Sequence, residues 1–394
     1  MSNLCGPPPS YSLQNSKAYS HVGPESLRWK KLWKTLNAPI TYATASGSMA
    51  MTFNEIRKDY LLNRWVVIAT ERGRRPTDLK KEKTHAKIGP CPMCPGNESM
   101  TPPAVLVYLK STKGVRKTRD SCEERHRNWL VRCIPNLYPA FSPPEGRINK
   151  RKILKSSSLA MAVGHHEVLI ESPNHDGHPA DSRSSQLMLV VDAYIDRLRE
   201  LAKRPYVNYV SIFRNHGLEA GASLSHAHSQ IISTPMVPRI IREEIRSSKQ
   251  FWDKTGNCIF CNICEKEYGG PRLVLENSKF IVFTPYASVY PIEFWIVPKK
   301  HEATPLRMSQ DDRKVLATTM KTCFGALKTL VDDPPYNYGF HLAMNEDAHE
   351  YYHWHIEVYP KLATWAGFEL STGMYINTVT PESAAASLRE IIST

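Results

Sequence analysis

The sequence predicts an α+β protein made of two duplicated units, each an antiparallel sheet with covering helices. One observation is order: strand, helix, strand and then a histidine-bearing strand occur twice along the chain. A second is spacing: 51 residues separate His175 from His226, and 52 separate His301 from His353. A third is that a Cys-x-x-Cys stands upstream of each histidine pair, at Cys91 and Cys94 and again at Cys258 and Cys261. Matched residue types at matched spacing mark an internal repeat. Strands with one apolar face need a covering layer to bury it.

The elements follow in chain order. Residues 1–50 are rich in Ser, Pro and Asn, with Glu25 as their one acidic residue. They read as a mobile N-terminal extension, and their acid-poor composition also fits a transit peptide. A start at Met51 would give a cleaner domain. The folded part is expected from about Phe53, with a first unit over 51–236 and a second over 237–394. Residues 63–69 have the β-branched and aromatic content of a strand. Residues 72–78 form a basic loop, and 80–87 read as exposed linker. Cys91 and Cys94 sit on a Pro/Gly turn. Residues 110–128 are strongly charged and read as a solvated excursion, and 134–139 as a Pro-bounded aromatic turn.

In the first copy, residues 167–171 are a strand closed by Pro173, Asn174 and His175. Leu187, Val190, Val191, Tyr194, Leu198 and Leu201 then share one face of a helix, and 208–213 return as a strand. In the second copy, the strand 291–297 precedes a helix that buries Leu316, Met320, Cys323, Leu327 and Val331. The strand 337–342 follows, and His353-Trp-His355 leads into a strand over 356–359.

Composition narrows the function. The chain has 394 residues, 41% of them hydrophobic, an ordinary value for a globular protein. No run of about 18 apolar residues predicts a transmembrane helix, and no apolar signal core follows Met1. A cytoplasmic protein with no membrane partner is expected. The net charge of +13 suits an anionic ligand. Without a secretion signal, close cysteine pairs among the nine cysteines read as metal ligands, not disulfides.

The chemistry concentrates in residues 221–230, Gly-Ala-Ser-Leu-Ser-His-Ala-His-Ser-Gln. On a strand, alternate side chains share a face, so His226, His228 and Gln230 point into one site. Each half offers two Cys and two His, which make a closed tetrahedral zinc set: Cys91, Cys94, His175 and His226 in the first, and Cys258, Cys261, His301 and His353 in the second. Full ligand sets imply structural metals. Cys264 is a spare thiol that competes as a ligand. With His226 on metal, His228 stays free beside Ser223, Ser225 and backbone amides that hold phosphate oxygens. A free imidazole facing a phosphate cradle suggests covalent nucleotidyl transfer through a phosphohistidine. At Gln230 an amide supplies neither proton nor base, which favours a transferase over a hydrolase.

Residues 221–230 resemble the His-x-His-x-Gln signature of the galactose-1-phosphate uridylyltransferase family, in the histidine triad superfamily. The likeness extends to Asn63-Arg-Trp, Arg74-Arg-Pro-Thr-Asp, Cys91-Pro-Met-Cys, Pro135-Asn-Leu-Tyr-Pro, Glu171-Ser-Pro-Asn-His, Phe213-Arg-Asn-His-Gly and Gly367-Phe-Glu. The resemblance implies two histidine-triad-like units and His228 as nucleophile. It also implies that Gln230 stabilises the uridylylated histidine, and that Ser223 and Asn215 lie at the nucleotide phosphates. Arg75, Asn136, Ser225, Phe368 and Glu369 complete the implied substrate-binding set. The substrates implied are UDP-glucose and a hexose 1-phosphate, galactose 1-phosphate, in a zinc-containing homodimer whose C-terminal segment helps form the partner's sugar site. The second metal, Zn or Fe, is held in one branch by two Cys and two His, and in another by a Glu and three His. That second set would be Glu244, His301, His353 and His355. Residues 367–377 end in Thr-Gly-Met-Tyr-Ile-Asn, an ending shared with ADP-glucose phosphorylases. Adenylyl transfer from ADP-glucose to phosphate is therefore the first rival reading. A histidine-triad nucleotide hydrolase is the second. A zinc-stabilised nucleic-acid binder is the third, disfavoured because no set of stacking aromatics lies on a basic strand face.

Overall fold

The computed structural model describes residues 54–70, 90–146, 153 and 160–394. The N-terminal extension, the basic loop with Arg75 and the 80–87 linker lie outside these described residues. In chain order the strands are β1 (Glu55–Lys58), β2 (Trp65–Ile68), β3 (Leu106–Ser111), β4 (Gly114–Thr118), β5 (Trp129–Pro135), β6 (His165–Ile170), β7 (Tyr209–His216) and β8 (His228–Thr234). They continue with β9 (Leu273–Glu276), β10 (Phe280–Phe283), β11 (Phe294–Pro298), β12 (Tyr336–His341), β13 (His355–Pro360) and β14 (Tyr375–Asn377). The helices are α1 (Ser184–Ala202), α2 (Arg239–Thr255), α3 (Ile259–Glu267), α4 (Gln310–Val331), α5 (Gly367–Thr372) and α6 (Pro381–Ser393).

Eleven strands form one sheet in the order β4-β3-β5-β6-β8-β7-β12-β13-β11-β10-β9. Every neighbouring pair in it is antiparallel. The two copies of the repeat meet at β7 and β12, where Phe213 opposes Gly339 and His216 opposes Tyr336. From that seam the strands run outward in matching order, β8, β6 and β5 on one side and β13, β11 and β10 on the other.

Helices α1 and α4 lie on one face of this sheet. All six apolar positions predicted for the first helix and all five for the second are buried. They pack on Ile212, Ile231, Tyr338 and Ile356 from the four central strands. A capping box at Ser309 and Asp312 starts α4, satisfying backbone donors that the first turn leaves unpaired. On the other face, α3 packs Phe260 and Ile263 against Ile281, Phe283 and Trp295 of the second half. Residues 55–68 also lie over the second half: β14 pairs in parallel with β2, and Arg57 bonds Glu382 at 2.9 Å.

Residues 110–128 are largely exposed, as expected of a solvated excursion, but part of them is ordered as strand. They contain the β3–β4 hairpin, whose outer strand is exposed and forms one edge of the large sheet. Charged side chains on an edge strand discourage pairing with another chain, so charge here marks an edge instead of a loop. Helix α2 was not foreseen, although Ile241, Glu244 and Ser248 are its buried stripe at helical spacing.

Behind the seam, His178 is buried at 5% exposure. Its Nδ1 accepts the Ala180 N–H at 3.0 Å, and its Nε2 lies 3.2 Å from the Tyr336 hydroxyl. Burial, reinforced by the neighbouring His216, lowers its pKa from 6.5 to about 4, against the opposing pull of Asp333. Between those values the unfolded chain binds a proton that the folded chain does not, so stability falls as pH drops through this window. Urea unfolding at pH 7 and pH 4.5 is expected to show a larger loss of stability for the wild type than for His178→Gln. Equal losses would remove His178 from the pH response.

Candidate functional site

The site face of the sheet is set by the period of two along β8. Ser229, Ile231 and Ser233 are turned toward the helices and fully buried, with Ser229 bonded to Glu171. His228 and Gln230 therefore face the other way, opposite Ile170 and Val168 of β6. Beside them Phe213 opposes Gln230 on β7, and Asn215 lies two residues further along the same face.

His228 is 6% exposed. Its Nδ1 lies 2.7 Å from the carbonyl of His226, two residues back. A carbonyl only accepts, so Nδ1 carries the proton and Nε2 keeps its lone pair. No hydrogen bond engages that Nε2 among the described residues. Burial holds the His228 pKa below the ordinary imidazole value; the bond to His226 opposes this, and the buried Arg214 guanidinium adds to the depression. The result is a neutral, oriented imidazole with one free nitrogen.

Two amides flank it. Gln230 Oε1 lies 2.8 Å from His166 Nε2 on β6. Asn215 Oδ1 accepts from Asn337 Nδ2 at 2.9 Å, and the same Asn337 amide donates to the Ala220 carbonyl at 2.7 Å. Asn337 belongs to β12, so the second half of the chain orients an amide of the first. The loop from β7 to β8 begins at Gly217, whose φ is +80°. A Cβ there would stand 2.8 Å from Pro335 Cβ, so the left-handed turn and the close approach both require glycine. Ser223 is exposed on this loop. Asn136 closes the turn after β5: its Oδ1 accepts the Tyr138 N–H at 2.9 Å, and its Nδ2 is 3.1 Å from His166 Nε2.

Two Cys₂His₂ groups stand apart from these amides. Cys91, Cys94, His175 and His226 form one, and Cys258, Cys261, His301 and His353 the other. In the first, sulfur to Nδ1 distances are 3.3 to 3.8 Å. In the second they are 3.4 and 3.7 Å. Tetrahedral coordination at Zn–S ~2.3 Å and Zn–N ~2.0 Å spaces such atoms by roughly 3.5 Å. The tautomers also fit a cation. His226 Nε2 donates to the Ser172 carbonyl at 2.8 Å and His301 Nε2 to the His349 carbonyl at 2.8 Å, which leaves each Nδ1 unprotonated and aimed at the thiols. Ser225, expected among the substrate ligands, has its hydroxyl 2.9 Å from His175 Nε2 and so orients a metal-type ligand.

A family model described as a domain of unknown function (DUF4921) matches residues 180–393. An ADP-glucose phosphorylase of Arabidopsis thaliana is 32% identical over 343 residues, covering 86% of this chain and 93% of the relative. A galactose-1-phosphate uridylyltransferase of Thermotoga maritima is 28% identical over 348 residues, covering 85% and 98%. The crystal structure of the Arabidopsis ADP-glucose phosphorylase with bound ADP-glucose superposes with a TM-score of 0.71 at 31% identity, over 86% of this chain and 99% of that one. A uridylyltransferase structure does so at 0.64 and 28%, over 86% and 99%. The chain belongs to the galactose-1-phosphate uridylyltransferase family.

Within this family frame, the remaining expected residues fall in different places. Glu244 does not join His301 and His353. It sits in a third buried group with His341, His355 and Glu357, where its Oε1 lies 2.8 Å from His341 Nδ1. The Glu-plus-three-His alternative expected from sequence is thus divided between two clusters. Cys264 is half-buried on α3 and belongs to neither group. Phe368 and Glu369 lie on α5. Phe368 is 46% exposed, and Glu369 accepts the Ala366 N–H at 2.9 Å. No hydrogen bond or ring contact joins either residue to His228 among the described residues. Arg75 lies outside the described residues.

Sequence reasoning missed His166, Asn337, His341 and Glu357. Two of them had a signal. His353-x-His355-x-Glu357 repeats the spacing of His226-x-His228-x-Gln230, and His166 shares the β6 face of Val168 and Ile170. Elemental analysis is expected to find one transition-metal equivalent less in Cys91→Ser than in the wild type, and one less in Cys258→Ser. Unchanged metal content in both would remove the two Cys₂His₂ groups as metal centres.

Proposed function

We propose that the chain is a nucleotidyltransferase that moves UMP from UDP-glucose to a hexose 1-phosphate, galactose 1-phosphate, through a uridylyl-His228 intermediate. The observation that carries this reading is the fixed tautomer of His228: Nδ1–H is held by the His226 carbonyl, and Nε2 is free on the face shared with Gln230 and Asn215. In the first half-reaction Nε2 attacks the α-phosphorus. A nitrogen–phosphorus bond forms, the bond to the bridging oxygen breaks, and glucose 1-phosphate leaves with the electron pair. In the second, a phosphate oxygen of the acceptor attacks the same phosphorus and Nε2 recovers its lone pair.

The Gln230 amide donates to a non-bridging oxygen without offering a proton or a base. Asn215, with its oxygen held by Asn337 and one Nδ2–H directed at the Gly221 carbonyl 3.5 Å away, offers its other donor to the phosphates. Ser223 and the backbone of its loop hold phosphate oxygens, with Arg75, Asn136, Ser225, Phe368 and Glu369 as the wider substrate set. Residues 51–236 form the catalytic unit and 237–394 the unit that supports it. Both Cys₂His₂ groups hold zinc, the second with iron as the alternative, and a metal there fixes loops and His226 in place. The protein works as a cytoplasmic homodimer in which α5 reaches the partner's sugar site. Light scattering is expected to give twice the chain mass for the active species.

Adenylyl transfer from ADP-glucose to phosphate is the second reading. It is favoured by the 32% identity to the Arabidopsis ADP-glucose phosphorylase and by the shared ending over 372–377. Incubation with labelled UDP-glucose and with labelled ADP-glucose, without acceptor, decides between them. The leading reading expects uridylyl label on His228 that galactose 1-phosphate discharges. Adenylyl label discharged by phosphate would replace it. In either case His228→Ala is expected to lower turnover on the order of a thousandfold or more while leaving metal content intact.

A further inference from the structure

An amide serves a transferase only if its nitrogen, not its oxygen, faces the phosphoryl group. Gln230 can rotate about its last bond, and the two orientations differ by one donor gained against one repulsive lone pair. The neighbouring ring decides which is populated. His166 Nδ1 accepts the Ala140 N–H at 3.2 Å. A neutral imidazole that accepts at Nδ1 carries its proton on Nε2, and a protonated one carries a proton there too. Either way Nε2–H donates, and Gln230 Oε1 lies 2.8 Å from it. The other group at this nitrogen is the Asn136 amide nitrogen at 3.1 Å. Asn136 is no competing acceptor, because its oxygen already takes the Tyr138 N–H at 2.9 Å. Gln230 Oε1 is therefore the acceptor the ring meets, and the Gln230 amide N–H bonds are left for the ligand.

We propose that His166 is a positioning residue: it holds the Gln230 carbonyl oxygen so that the amide donates to the nucleotidyl group on His228. The assignment rests on the reading that His228 carries that group. Without the His166 donor, Gln230 samples the orientation that sets its oxygen against the phosphoryl oxygens, and the gain from its donor is diluted. Val168 lies between the two on β6 and opposes Gln230 directly, so the contact is made diagonally across neighbouring strands, within the reach of long side chains.

The test uses the full chain and single-turnover measurements of His228 labelling, transfer to acceptor and loss to water. His166→Phe keeps the ring and removes the donor. It is expected to slow transfer about five- to tenfold, the size of one neutral hydrogen bond, and to raise the share of intermediate lost to water. His166→Gln, which can present an N–H to the same oxygen, is expected to recover most of the rate. In a Gln230→Ala background His166→Phe should cost nothing more, because no amide remains to orient. A role confined to folding would cost the same in both backgrounds. Wild-type rates in His166→Phe, or an equal loss in the Gln230→Ala background, would overturn the assignment while His228 labelling stands. Absence of label on wild-type His228 would overturn the transfer reading and this assignment with it.

Discussion

The antiparallel seam between β7 and β12 is the contact on which the rest of the molecule depends. Four opposed pairs, from Phe213 with Gly339 to His216 with Tyr336, join the two copies into one sheet. Because the sheet is continuous, α1 and α4 share one core on the same side of it. The opposite face then carries His228, Gln230 and Asn215 in the first half and meets α2, α3 and the three-stranded sheet in the second. The seam also brings Asn337 to Asn215. A site built on the first copy therefore depends on a side chain of the second, which a chain of two loosely tethered domains could not supply.

The two copies of the repeat differ in what meets the histidine ring. At equivalent places the first half has His228 followed by Gln230, and the second has His355 followed by Glu357. The carboxylate is 3.1 Å from His355 Nε2 and so captures the nitrogen that its counterpart keeps free. His341 lies against Glu244 and Glu357 and is raised to about 9 by their charges, although burial pulls it the other way. Glu357 is lowered to about 2 by His341 and His355, likewise against its burial. The second half closes into a buried group of two carboxylates and two imidazoles, where removing one partner leaves another uncompensated.

Much of this was legible in the sequence, for a physical reason. Strands and helices with one buried face write their period into the chain, so the helices around Tyr194 and Cys323 and the strands beside them could be read directly. Ligand types that recur at matched spacing showed the two Cys₂His₂ groups. What could not be read depends on pairing between distant strands. His166 and Asn337 are unremarkable polar residues until β6 lies beside β8 and β12 beside β7. Residues 239–255 were passed over because their apolar stripe is thin and includes a buried Glu244, whose hydrogen-bond partners arrive from β12 and the 351–352 turn. The β3–β4 hairpin was hidden by its own charges, which serve an edge and not a loop.

His226 serves two masters with two ends of one residue. Its ring nitrogen faces Cys91 and Cys94, and its carbonyl holds the His228 proton. Whatever grips the ring also stiffens the peptide whose carbonyl orients His228. On the proposed function, metal occupancy of the Cys₂His₂ group and affinity for the nucleotide are thermodynamically linked, and linkage is reciprocal. A nucleotide that binds better to the metal-loaded chain must tighten that chain's equilibrium hold on the metal by the same factor. On that proposal, the short path from ring to carbonyl makes metal occupancy and nucleotide binding two readings of one equilibrium.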